Sequence, residues 1–227
     1  MATPLASVRA KPAIRQDERR RASDTRMLRA AIDVIAQKGA AGATLAEIGI
    51  AAGFSRGLPA ERFGTKLALL NALMDFTEDW FHRRVAAAVA GISGLQALRA
   101  RIDAHIDSAC RSPKATAALY SLFLESLAAI PDLQPRTRAL SASFHNGFRR
   151  HLDEARRAGE LRAGVDSGKV AQIIVGLLRG LIIQSLLEGD AARLAANRRQ
   201  IHALVEAGLA GSDCAAIACA PPRRKTA

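Results

Sequence analysis

The chain has 227 residues, 49% of them hydrophobic and 24% charged, with 17 Gly and 8 Pro, a composition that excludes disordered and collagen-like chains. With 33 basic against 21 acidic residues the net charge is +12, which favours a polyanionic partner. Cys214 and Cys219 form a lone C-x4-C pair with no nearby His, so neither a zinc site nor a disulfide scaffold is supported; the start of the chain also lacks the apolar run of a signal peptide, and the expected location is cytoplasmic.

Residues 1–22 carry Arg9, Lys11, Arg15, Arg19, Arg20 and Arg21 with almost no apolar periodicity and read as a basic flexible arm. From Ser23 the pattern becomes helical. Leu28, Ala31, Ile32 and Ile35 stand at i, i+3, i+4 and i+7, Ser23 or Asp24 can cap the start, and Gly39 provides a stop. Thr44-Leu45-Ala46-Glu47 is a capping box that opens a second, short helix ending near Ala52. Gly53 can supply a left-handed turn, Ser55 can cap a third short helix with Pro59 near its start, and Thr65 can cap a long fourth helix bearing Leu69, Leu70, Leu73, Phe76, Trp80 and Phe81. Gly49 inside the second helix is expected to cost it about 1 kcal/mol relative to Ala.

Helical periodicity continues without strand alternation. Leu95, Leu98, Ile102 and Ile106 make one stripe, Leu119, Leu122, Phe123 and Leu127 another, and Leu140, Phe144, Phe148 and Leu152 a third. Residues 170–187 and 194–209 complete about nine helices in an all-α chain. Residues 170–187 are apolar enough to be mistaken for a membrane span, but Arg179 stands at their centre, where an arginine costs about 2.5–3.5 kcal/mol on insertion scales. A helix buried between protein surfaces is the expected reading, and no membrane partner is implied. Domain boundaries follow: the arm at 1–22, a three-helix unit at 23–70, a helical domain at 71–211, and a disordered tail at 212–227.

Two short helices joined by a Gly turn, behind a first helix and a basic arm, are the parts of a helix-turn-helix DNA reader. Residues 44–66, TLAEIGIAAGFSRGLPAERFGTK, resemble the DNA-binding signature of the tetracycline-repressor (TetR) family of bacterial transcriptional regulators. The likeness extends back through Arg26, Ala30-Ala31 and Gly39 and forward through Lys66-Leu67-Ala68-Leu69-Leu70. It implies a homodimer on a double-stranded DNA operator, with a C-terminal helical domain that binds a small-molecule effector and pairs through its last two helices, and no cofactor. Residues 161–166 followed by the apolar 170–187 segment look like the family's entry to that pairing surface.

The DNA-binding candidates are Arg26, Thr44, Ser55, Arg56, Gly57, Glu61, Arg62, Thr65 and Lys66. Thr44, Ser55 and Thr65 sit at helix N-termini, whose unpaired N–H groups bind phosphate. Lys66 in a first helical turn opposes the macrodipole by about 0.3–1 kcal/mol, a conflict that an arriving phosphate removes. The family usually offers Tyr and His before the Phe of the motif, whereas this chain has Ala60, Glu61 and Arg62 before Phe63. Arg62 can replace a lost phosphate contact, and Glu61 repels phosphate unless it accepts from a cytosine amine.

No catalytic constellation is present: His82, His105, His145, His151 and His202 form no H-E-x-x-H, and there is no Gly-rich phosphate loop or nucleophile elbow, so no enzyme activity and no metal is expected. Candidate ligand residues are Phe76, Trp80, His105, Tyr120, Phe123, Phe144, Phe148 and Arg179, each of which also fits plain core. Arg179 must be paired or solvated, so it reads either as a partner for a ligand carboxylate or as an interface ion pair. Cys110 reads as an inert helix residue, with a thiol sensor as the contrary case. An all-α ligand-binding or catalytic protein whose DNA reader has degenerated is the alternative that Ala60-Glu61 permits.

Overall fold

The structure, a computed structural model, describes residues 10–209, with side chains from residue 16 onward. Among them lie ten α-helices and one short 3-10 turn at Pro131–Leu133, with no strand. The helices are α1 (Ala10–Gly42), α2 (Leu45–Ala51), α3 (Leu58–Phe63), α4 (Lys66–Ala88), α5 (Gly94–Arg111), α6 (Pro113–Glu125), α7 (Gln134–Arg157), α8 (Ser167–Glu188), α9 (Ala191–Ala196) and α10 (Arg198–Leu209). The all-α class is as expected, with one more helix than the periodicity gives. Residues 194–209 look like a single amphipathic run, yet Asp190 caps Arg193 N–H at 2.8 Å to start α9, and Asn197 separates it from α10.

The chain forms two compact units. One comprises residues up to Thr77 with Ala117–Arg136, and the other Glu78–Thr116 with residues from Thr137 onward. The first unit is built on the apolar face of α1, where Met27, Ala31 and Ile35 are buried with Ile48 of α2 and Leu69, Leu70, Leu73 and Met74 of α4. The second gathers Leu98, Ile102 and Ile106 of α5, Phe148 and Leu152 of α7, and Ile174, Leu178 and Ile182 of α8.

One difference from the sequence expectation concerns the start of α1. Residues 10–22, expected within a flexible arm, are the first turns of α1, and residues 16–22 are exposed. Ala, Arg, Gln and Glu there are strong helix formers, so the helix extends past the point where its apolar face ends. Residues 1–9 and the tail beyond 209, with Cys214 and Cys219, lie outside the described residues. Helix α8 is long and apolar enough to cross a membrane by composition alone. Within this chain it buries one side only: Ala171, Ile174, Val175, Leu178 and Ile182 are buried, while Ile173 and Leu187 are 67% and 82% exposed.

Candidate nucleic-acid interface

Helix α2 starts as its sequence dictates. Thr44 Oγ1 accepts the Glu47 N–H at 3.2 Å, and Glu47 Oε2 accepts the Thr44 N–H at 3.2 Å. Lys38 donates to the same carboxylate, and with the Thr44 hydroxyl it holds the Glu47 carboxyl below its usual range. The helix stops at Gly53, whose φ of 74° places it in the left-handed region.

Helix α3 begins two residues later than Ser55 would set it. Gly57 is its N-cap and contributes no side-chain bond; Ser55 instead accepts the Leu58 N–H on its backbone carbonyl at 3.3 Å. Pro59 belongs in the first turn of the helix, where its missing N–H forfeits nothing, and this fixes the start. The Ser55 side chain therefore stays exposed and is not a cap. The propensity cost of Gly49 is set against a packing requirement. A Cβ at this buried position would lie 2.5 Å from Ser55 O and 3.0 Å from Pro59 Cδ, so the glycine lets α2 and the turn approach the Pro59 ring. Thr65 caps α4 as expected, accepting the Ala68 N–H at 3.1 Å.

The cations of this region divide into two groups. Arg26 donates to Ala52 O at 2.8 Å and lies 4.6 Å from the centre of the Phe54 ring, closing the turn between α2 and α3. Arg62 donates to Ser23 Oγ at 2.8 Å and stands 3.3 Å from Asp24 Oδ1, so it ties α3 to α1. Lys66 donates to Ala41 O at 2.5 Å. Arg56 is exposed and has no such tie. Thr44, Ser55, Arg56, Gly57, Glu61 and Thr65 thus stand exposed around α2 and α3; Arg26 is exposed too, but like the half-buried Arg62 and Lys66 it is tied to the fold by a hydrogen bond.

Sequence reasoning missed Glu125, at the end of α6. Gly39 adopts a φ of 76° and interrupts α1, leaving the N–H groups of the following turn without helical partners. Glu125 Oε1 accepts the Ala40 N–H at 2.7 Å, Oε2 accepts the Ala41 N–H, and Ser121 Oγ also accepts from Ala40 at 2.9 Å. The signal was the helical break at Gly39, but nothing local names a capping carboxylate 85 positions away.

In the second unit, Trp80, His105, Phe144 and Phe148 come together as packing. The His105 ring lies 4.4 Å from Phe81, 5.7 Å from Phe144 and 4.9 Å from Phe148, centre to centre. Burial pushes its imidazole down to about 3, so the ring is neutral. Trp80 packs on the same cluster. Phe76, Tyr120 and Phe123 belong to the first unit. Arg179 donates to Ser141 Oγ at 3.0 Å. A cavity of about 720 Å³ opens in the second unit, and its lining includes His82, Arg101, Asn146, Gly147 and Arg150 but none of the eight expected ligand residues. The Cys110 thiol donates to Ala191 O at 3.3 Å, and burial with the nearby Asp107 charge pushes its pKa up, opposite to a reactive thiolate.

Residues 27–73 match the profile described as bacterial regulatory proteins of the tetR family, and residues 94–201 match the tetracyclin repressor-like C-terminal domain. No curated protein matches the chain. Solved structures of the same fold include the fatty acid degradation regulator FadR from Bacillus halodurans, with a TM-score of 0.75 at 20% identity over 82% of this chain and 95% of that one. A TetR transcriptional regulator from Chloroflexus aurantiacus superposes with a TM-score of 0.74 at 20% identity, covering 84% and 97% of the two chains. FadR from Bacillus subtilis, solved with stearoyl-CoA, gives 0.73 at 20% identity over 81% of this chain and 98% of that chain.

Proposed function

Because the chain belongs to the TetR family of bacterial regulatory proteins, we propose that it is a homodimeric transcriptional repressor that leaves a palindromic operator when a small effector binds. The observation that carries this reading is the exposed set around α2 and α3, in which the capped α2 N-terminus, Arg56 and the turn at Thr65 are presented outward. Helix N-termini and a guanidinium suit phosphate, and α3 carries Glu61 where a base edge can be read. Arg26, Arg62 and Lys66 act here by holding the reader in shape, and Arg62 and Lys66 add positive potential near the backbone. A role on chromosomal operators places the protein in the cytoplasm.

Repression and release follow from linkage. Residues 66–77 of α4 belong to the first unit and residues 78–88 to the second, so a single helix runs through both. An effector that prefers a different setting of α4 lowers operator affinity by its differential binding energy. Sequencing the genomic fragments retained by the purified protein tests the proposal. The expected outcome is a repeated pseudo-palindrome with half-sites about one helical turn, or 34 Å, apart. Retention of no fragment above background would favour the alternative of a helical ligand-binding protein whose reader has lost its operator through Glu61.

A further inference from the structure

The second unit holds a buried cation that packing does not explain. Arg101 of α5 is 3% exposed, and among the described residues its guanidinium has neither a carboxylate within ion-pair distance nor a hydrogen bond. Its Nε is fully enclosed without a partner. It lies 5.1 Å from the centre of the Phe148 ring and directly over Gly147 of α7, where a Cβ would overlap it. Burial, with the Arg150 charge, pushes this guanidinium down to about 10, so it remains charged at neutral pH. A buried charge without a partner is costly and persists only where something compensates it.

Arg101 lines the cavity of about 720 Å³, whose other walls are His82, Val85 and Ala86 of α4 and Ala139, Ala142, Ser143, Asn146, Gly147 and Arg150 of α7. No lining residue is acidic. The remaining charges already have partners: Arg150 stands 3.9 Å from Glu154, His82 stands 3.7 Å from Glu78, and the Ser143 hydroxyl is 3.1 Å from His82 Nε2. One positive charge with no carboxylate or hydrogen-bond partner therefore lines a space whose walls combine small apolar side chains with Ser143, Asn146, His82 and Arg150.

We infer that this cavity binds an organic monocarboxylate, with its carboxylate on the Arg101 guanidinium and its apolar body against Val85, Ala86, Ala139 and Ala142. The planar fork of Arg matches a carboxylate with two parallel N–H···O bonds, and a single free charge matches a monoanion rather than a phosphate dianion. Gly147 is the specificity device on the protein side, because only a residue without a side chain leaves the guanidinium its seat. The inference deepens the proposed regulatory role by naming the chemical class of the effector, and binding can be measured independently of DNA.

The probe is 1-anilinonaphthalene-8-sulfonate, an apolar monoanion, titrated against the full chain beside N-phenyl-1-naphthylamine, its neutral counterpart. Saturable binding of the anion is expected, displaced by octanoate or benzoate and not by octanol, benzyl alcohol or inorganic phosphate. Arg101→Met is expected to weaken the anion at least tenfold, leave the neutral dye unchanged, and leave the melting temperature equal or higher, because a buried unpaired charge is removed. Gly147→Ala keeps the charge, displaces it from its seat, and is expected to weaken the anion similarly. Equal binding of the two dyes, or unchanged anion affinity in either variant, overturns the inference. So does loss of cooperative unfolding in Arg101→Met with full anion affinity in Gly147→Ala, and displacement by phosphate alone overturns the carboxylate class. If carboxylates bind through Arg101 and leave operator affinity unchanged, the site stands and the regulatory reading falls.

Discussion

At the scale of single residues, Gly49 shows how propensity and packing can oppose each other. Replacing it with Ala gains about 1 kcal/mol of helix propensity in isolation. In the folded first unit the added methyl meets Ser55 O and the Pro59 ring, and overpacking of this kind costs about 1–3 kcal/mol. Gly49→Ala is therefore expected to lower the urea midpoint, and a rise would show that the turn yields without strain. His105 carries a second residue-scale prediction. Its folded value of about 3 lies below the ordinary 6.5, so below pH 6.5 the unfolded chain takes up a proton that the folded chain refuses. Stability is lost as pH falls from 6.5 toward 3, by up to about 1.4 kcal/mol per pH unit from this one group. His105→Phe keeps an aromatic ring among Phe81, Phe144 and Phe148 and is expected to flatten that loss, as read by denaturant titration at pH 7 and pH 4.5. The Thr44–Glu47 box and the Gly53 turn were legible because their partners lie within four residues of each other, whereas Arg101 and Gly147 are brought together by the fold and neither announces the other.

At the scale of elements, the end of α1 is held from two sides. Glu125 accepts the N–H groups of Ala40 and Ala41, while Lys66 donates to the Ala41 carbonyl. A carboxylate at an exposed turn of N–H groups acts as a helix cap, worth about 0.5–2 kcal/mol. Glu125→Gln should cost the first unit a stability loss of that order and loosen the turn, seen as faster hydrogen exchange at Ala40 and Ala41. Gly39→Ala should be worse, because φ is 76° there and a Cβ would stand 2.7 Å from Glu125 Oε1. Unchanged exchange in Glu125→Gln would mean that Ser121 alone satisfies the turn. Helix boundaries were legible at Gly53 and Thr65, where a left-handed glycine and a side-chain cap mark them, but not at the start of α3, where Gly57 and not Ser55 is the N-cap. They were not legible at the start of α1, where helix propensity carries the helix beyond its apolar face, nor at the α9–α10 junction, where Asn197 interrupts a continuous apolar period.

At the scale of the molecule, the all-α class and the helix-turn-helix were readable from period and punctuation, because 3.6-residue stripes and local caps are properties of single segments. The cavity was not, since it arises where α4, α5 and α7 meet, while Trp80, His105, Phe144 and Phe148 pack with one another and Phe76, Tyr120 and Phe123 belong to the first unit. The apolar character of α8 was readable, but its period could not say which part is covered by this chain. Ile173 and Leu187 lie uncovered on α8 and Leu204 on α10, and the exposed Gly176 and Gly180 allow another helix to approach α8 closely. A second copy of the chain is the occupant that the proposed two half-sites require. Ile173→Glu places a charge in the middle of that face, where pairing would bury it without a partner. The variant is expected to sediment as a monomer at micromolar concentration, to unfold with an unchanged midpoint in the monomeric state, and to bind operator far more weakly because each protomer then meets one half-site alone. Leu204→Glu is expected to act in the same direction. A dimer that survives both substitutions would place the pairing surface elsewhere and leave the exposed side of α8 without a role in operator recognition.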